Sequence, residues 1–264
     1  MGGLEVLDPR YLAVHDRAMK VFGADERVIA TAVGGSVATG TADAWSDLDL
    51  QVAVRAGDYE GFLADWEAWL ADITATVFAR RPITPFIVNS LTPDGLTLDI
   101  SVYADALPPP FVAPTQYTAG MLSFNRYDTA VEAMQYAVEE QLRGLAGPFV
   151  TLIQREEHVR HFTGVPHIVG GLTAVFLAET GAAPPGKRMN ESLTDDQLAA
   201  VAALPPVSAT RDGLIAFGLA VAELVVTRAR PIFDHHSLAW PTELAHTAAA
   251  RLQSQLGIDA PWLR

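Results

Sequence analysis

Residues 28–50, VIATAVGGSVATGTADAWSDLDL, decide how the rest of the chain is read. Val28–Val33 is an unbroken apolar and β-branched run, the composition of a short buried strand. Gly34-Gly35-Ser36 follows at once, a turn ahead of a helix start, where free backbone N–H groups favour an anion. Asp47-Leu48-Asp49-Leu50 then opens a second strand, Asp47–Val54. Residues two apart on a strand share a face, so the carboxylates of Asp47 and Asp49 stand side by side. Like charges held that close repel unless a cation lies between them or one is protonated. Oxygen-only ligation suits Mg²⁺, which keeps some waters and takes further oxygens from a substrate phosphate. Asp99, between the aliphatic neighbours Leu98 and Ile100, is costly to bury alone and becomes a third acid if its strand pairs beside the first. A D-x-D pair by itself more often decorates a solvent-facing strand, and a GGS turn by itself is more often only a turn. A phosphate cradle followed a dozen residues later by an acid pair is a coherent phosphoryl-transfer site.

Working outward, residues 9–22 have the pattern of a first amphipathic helix, broken by Gly23-Ala24-Asp25. Gly57–Arg81 is predicted as one helix rich in aromatic residues. Thr84–Ser90 and Leu96–Tyr103 are predicted strands, joined by the turn Thr92-Pro93-Asp94-Gly95. Leu107-Pro108-Pro109-Pro110 and Pro114 interrupt both strand and helix and mark a connector. Beyond it the periodicity is helical, over about 128–145, 149–162, 166–180, 194–203, 211–229 and 240–256. The predicted fold is α+β: a small mixed β-sheet domain with flanking helices over residues 1–125, then an all-helical domain over 126–264.

The order Gly34-Gly35-Ser36, Gly40, Ser46 and Asp47-Leu48-Asp49 resembles the signature of the DNA polymerase β-type nucleotidyltransferase superfamily, with Asp99 as its third carboxylate. The resemblance covers Val28 to Tyr103. It implies that Gly35 and Ser36 hold the phosphates of an incoming nucleotide, and that Gly40 keeps the helix start clear for it. It implies that Asp47 and Asp49 bind two Mg²⁺ ions, with Asp99 either a ligand of the second ion or the base for an acceptor hydroxyl. More faintly, Thr180-Gly181, Gly186-Lys187-Arg188 and Ala203-Leu204-Pro205 are similar in order to the helical half of aminoglycoside adenylyltransferases. That branch implies ATP as co-substrate, a hydroxylated cationic small molecule as acceptor, Lys187 on the triphosphate and a cleft between the domains as the active site. Lys187 is equally well read as a surface lysine in a loop. A separate glutamate base has only Glu139, Glu156 and Glu157 as candidates by type.

Composition narrows the field further. A formal net charge of −13 disfavours non-specific nucleic-acid binding and attracts cations. The chain has no cysteine, which removes disulfides and thiolate metal sites and fits a cytoplasmic location. Its least polar stretch, Val165–Ala178, reads as too short to span a bilayer, and its first residues lack the basic and apolar segments of a signal peptide. The histidines have no zinc-helix spacing, and Arg230-Pro231-Ile232-Phe233-Asp234-His235 fits a ribonuclease-like pattern too short to weigh. Two other functions stay open at this level. One is the same chemistry on a protein or RNA acceptor; the other is a nucleotide-binding module without catalysis.

Overall fold

The computed structural model describes residues 3–81, 86–108, 127–182 and 189–264. The chain divides into two compact units, Met1–Gln116 and Tyr117–Arg264. The architecture is mixed α+β, a five-stranded sheet followed in the chain by a helical region.

In the first unit, α1 (Arg10–Ala24) buries Tyr11, Ala18 and Phe22 as one stripe. β1 (Val28–Val33) leads into the short helix α2 (Gly35–Thr39), and β2 spans Leu48–Val54. The predicted helix over 57–81 is instead two helices and a strand: α3 (Tyr59–Ala64), α4 (Trp66–Ile73) and β3 (Phe78–Arg80). The break falls at Asp65, whose carboxylate accepts from Arg27 Nη1 at 2.7 Å, and α4 stops where Thr74 turns extended. Three residues are too few to carry a period-two signal, so β3 emerges only through its pairing with β4. β4 (Ile87–Leu91) and β5 (Thr97–Ala104) flank the predicted turn, where Gly95 N–H donates to the Thr92 carbonyl at 2.9 Å. Residues 84 and 85 of the predicted strand lie outside the described residues.

The sheet order is β1-β2-β5-β4-β3, with β2 and β5 parallel and the other pairs antiparallel. One face is apolar. Leu48, Leu50, Val52, Val88, Leu98, Ile100 and Val102 lie in a single core with Phe22, Phe62 and Trp69. Phe62 stacks on Trp69 with ring centroids 5.5 Å apart, and Trp69 Nε1 donates to the Phe62 carbonyl at 3.1 Å. The indole is therefore a core residue, with its one polar atom satisfied.

In the second unit the helices are α5 (Ala130–Gly144), α6 (Val150–Gln154), α7 (His158–Thr163), α8 (Val165–Thr180), α9 (Asp195–Ala202), α10 (Arg211–His235) and α11 (Thr242–Leu256). Thr129, Thr194 and Thr210 cap α5, α9 and α10 with side-chain hydrogen bonds, which fixes where those helices begin. The predicted helix over 149–162 is split at Glu156, which adopts φ +55°. The predicted end at 229 is overrun: α10 continues through Pro231 because Ile232 and Phe233 are buried and hold the last turn. The stretch read as too short for a bilayer extends through α7 into a 23-residue run, His158–Thr180, long and apolar enough to cross one. Half of the run's most apolar window is buried inside the protein, and Gly171–Ala178 form the buried centre of α8, which packs against α5 and α10.

Candidate active site

Register builds the site. In the parallel pair β2/β5, Asp49 is the direct partner of Asp99, and the flanking partners Leu48/Leu98 and Leu50/Ile100 belong to the buried face. Asp49 and Asp99 therefore rise together from the opposite face, both half-buried. Asp47 sits one residue before β2 begins, not on the strand as predicted. The next pairing, in β4/β5, sets Asn89 beside Asp99, and β3/β4 sets Arg80 beside Asn89. A polar rung, Asp49–Asp99–Asn89–Arg80, thus crosses four strands.

The glycine–serine turn is fastened to this rung at the Asp49 end. Gly34 N–H donates to the Asp49 carbonyl at 2.8 Å. Gly35 adopts φ +54°, and a Cβ placed there would lie 1.7 Å from Asp49 Oδ2. Both the backbone conformation and the space require glycine. The room that Gly35 leaves by lacking a Cβ is filled by the carboxylate of Asp49. Ser36 Oγ is buried and has no hydrogen-bond partner among the described residues. Because α2 has only five residues, an anion there would be held by local N–H groups and the Ser36 hydroxyl, with little summed helix dipole. At φ +70° Gly40 caps the end of α2, donating to the Ser36 and Val37 carbonyls.

Between the turn and the acids, the loop is knotted by Asp43 and Ser46. Asp43 Oδ1 accepts from Trp45 N–H at 2.9 Å and from Ser46 Oγ at 3.0 Å, and Ser46 Oγ accepts from Asp43 N–H at 3.0 Å. Ser46 is 4% exposed. This knot fixes the chain entering Asp47, and Asp43 is a site residue not named from the sequence. An aspartate three residues before a serine is its only signal.

Electrostatics mark the same place. Burial, then the charges of Asp47 and Asp99, push the Asp49 carboxyl up to about 7. A carboxylate set under that strain is stabilised by a cation. Among the described residues, however, no three acids or histidines draw together as a ready-made metal cage. Mg²⁺ does not need one, since it binds through one or two carboxylates and completes its shell with waters and phosphate oxygens. The donor chemistry at Asp47, Asp49 and Asp99 fits such an ion. Lys187 and Arg188 lie outside the described residues. Of the glutamates named by type, Glu139 is on α5, and Glu156 and Glu157 are exposed between α6 and α7.

A scan against protein-family models finds no match, and a search of curated proteins finds none. Among solved structures, the chain is similar to an aminoglycoside 6-adenyltransferase from Bacillus subtilis at 13% identity and a TM-score of 0.36, over 91% of this chain and 95% of that one. A likeness at that level carries no functional argument, and the reading of the site rests on its own geometry.

Proposed function

We propose that the chain is a nucleotidyltransferase that moves a nucleotide monophosphate from ATP to a hydroxyl of a cationic small molecule, such as an aminoglycoside, in the cytoplasm. One observation carries the proposal: Asp49 stands beside Asp99 on a parallel strand pair while its carboxylate presses on Gly35 of the glycine–serine turn. Acid pair and turn are thereby one continuous surface.

On this reading Asp47, Asp49 and Asp99 hold Mg²⁺, which when bound supplies charge neutralisation for the triphosphate. Gly35 N–H and Ser36 Oγ take phosphate oxygens, which would give the orphaned serine hydroxyl its partner. Lys187 is the proposed cationic contact to the triphosphate. Asp99 is the proposed site where the acceptor's O–H is held. The acceptor oxygen forms a bond to the α-phosphorus, and the bond from that phosphorus to the bridging oxygen breaks. Pyrophosphate leaves with the electron pair, and the hydroxyl proton passes to a carboxylate. The net charge of −13 favours a cationic acceptor.

The test is pyrophosphate release from ATP and Mg²⁺ in the presence of an aminoglycoside panel. Release above background that disappears in Asp47→Asn/Asp49→Asn supports the reading. A wild-type chain that neither binds Mg²⁺–ATP nor releases pyrophosphate sinks it.

A further inference from the structure

Asp49 and Asp99 have different neighbours along their rung. On the Asp49 side stand Gly35 and the turn, and Gln51 lies along Gly34, within 3.3 Å of where a Cβ would be. On the far side of Asp99 stands Asn89, its antiparallel partner. Paired residues on adjacent antiparallel strands have Cβ atoms about 4.5–5.5 Å apart, so the two side-chain ends can converge on one atom. Asn89 is half-buried between the buried residues Val88 and Ser90, on the same face as Asp99. Its amide makes no hydrogen bond to any described residue, nor is it sealed away from solvent. Arg80, next along the rung, is turned over the Phe78 ring at 5.2 Å. The amide of Asn89, between Val88 and Ser90 on β4, has no structural use that these contacts reveal.

We infer that Asn89 is a further substrate-binding residue, which orients the acceptor hydroxyl at Asp99. The inference rests on the nucleotidyltransferase reading above. An alcohol oxygen has one hydrogen and two lone pairs. When its O–H donates to the Asp99 carboxylate, one lone pair accepts from Asn89 Nδ2–H, and the other is left facing the α-phosphorus. The turn side of the rung then serves the phosphates and the β4 side serves the acceptor. Asn89 selects for a hydroxyl because the oxygen must donate on one side and accept on the other. A ligand bearing amines beside that hydroxyl gains from the neighbouring carboxylates as well.

Asparagine-selective ¹⁵N labelling tests this directly, because the chain has three asparagines, Asn89, Asn125 and Asn190. The side-chain NH₂ pair that vanishes in Asn89→Ala is the reporter. The full chain is loaded with Mg²⁺ and a non-hydrolysable ATP analogue, then titrated with kanamycin, streptomycin and, as an uncharged polyol, inositol. The Asn89 pair should shift saturably with an amine-bearing polyol. Asn89→Ala should weaken that probe about tenfold, the worth of one hydrogen bond, with nucleotide affinity unchanged. Asn89→Ser, which keeps a donor, should recover part of the loss. An Asn89 signal unmoved by every probe, while the nucleotide analogue binds normally, overturns the inference alone. Equal loss of nucleotide and probe affinity in Asn89→Ala also overturns it. Failure of the wild type to bind Mg²⁺ and the analogue removes the nucleotidyltransferase reading, and this inference with it.

Discussion

On one face of the sheet, Leu48, Leu50, Val52, Leu98, Ile100 and Val102 are each at most 1% exposed. On the other, the residues between them are Asp49, Gln51, Asp99 and Ser101, all half-buried apart from the core. The same two strands supply both sets, at alternate positions. What holds the sheet together and what it offers a ligand are thus separated by one residue of pleat, about 3.3 Å along the chain. The two faces should respond to different perturbations, and four experiments can break or sharpen that separation.

Asp47→Asn with Asp49→Asn should have the largest effect. On the proposed function it lowers turnover by about a hundredfold to a thousandfold, as loss of charge stabilisation at a reacting phosphate does elsewhere. Circular dichroism should remain native, because neither residue belongs to the core. A comparable loss of fold would mean that the faces are not separable. Ile100→Ala is the mirror experiment. It should destabilise the chain by about 2–5 kcal/mol through lost burial and the cavity left behind, read from denaturant titration. The affinity of the remaining folded protein for Mg²⁺–ATP should hold.

Gly35→Ala joins the two faces' concerns. A left-handed backbone costs an alanine about 1–2 kcal/mol, and the methyl group must also expel the Asp49 carboxylate from where it sits. We expect a modest drop in thermal stability with a disproportionate loss of Mg²⁺–ATP affinity, measured by calorimetry. Equal affinity in the variant would show that the Gly35–Asp49 contact does not shape the site.

The smallest effect is a pH slope. The folded Asp49 carboxyl, at about 7, lies above its ordinary value of 3.8. The folded state therefore holds this proton more tightly than the unfolded chain does. Its contribution to stability is present below the unfolded value and is lost as pH rises through about 7. In EDTA, the wild type should melt a few degrees lower (about 2–4 °C per kcal/mol for a chain of this size) at pH 8 than at pH 5 through this group. Asp49→Asn should lack that component, and parallel slopes in scanning calorimetry would contradict the assignment.

Much of this site was legible along the chain. The turn Gly34-Gly35-Ser36, the acid pair and the strand at Leu98-Asp99-Ile100 were read from composition and from a period of two, both local properties. Less legible were the residues whose roles come from partners distant in sequence. Asn89 carries no local signal, and only register sets it beside Asp99. Asp43 offered only its spacing from Ser46, and its role comes from the carboxylate that ties Ser46 and Trp45 together. β3 was absorbed into a helix, since an aromatic residue at Phe78 fits either pattern until β4 is there to pair with it.

The sequence by itself determined the alternation of face along β2 and β5, and with it the presence of acids opposite a core. That follows from strand geometry, which needs no partner. Only the tertiary structure decided that Asp49 stands beside Asp99, fifty residues away along the chain. It also decided that Gly35 makes room for a carboxylate and that the rung continues to Asn89. Strand order, parallel pairing and register are long-range choices, made when the sheet assembles around its core, and no local pattern encodes them.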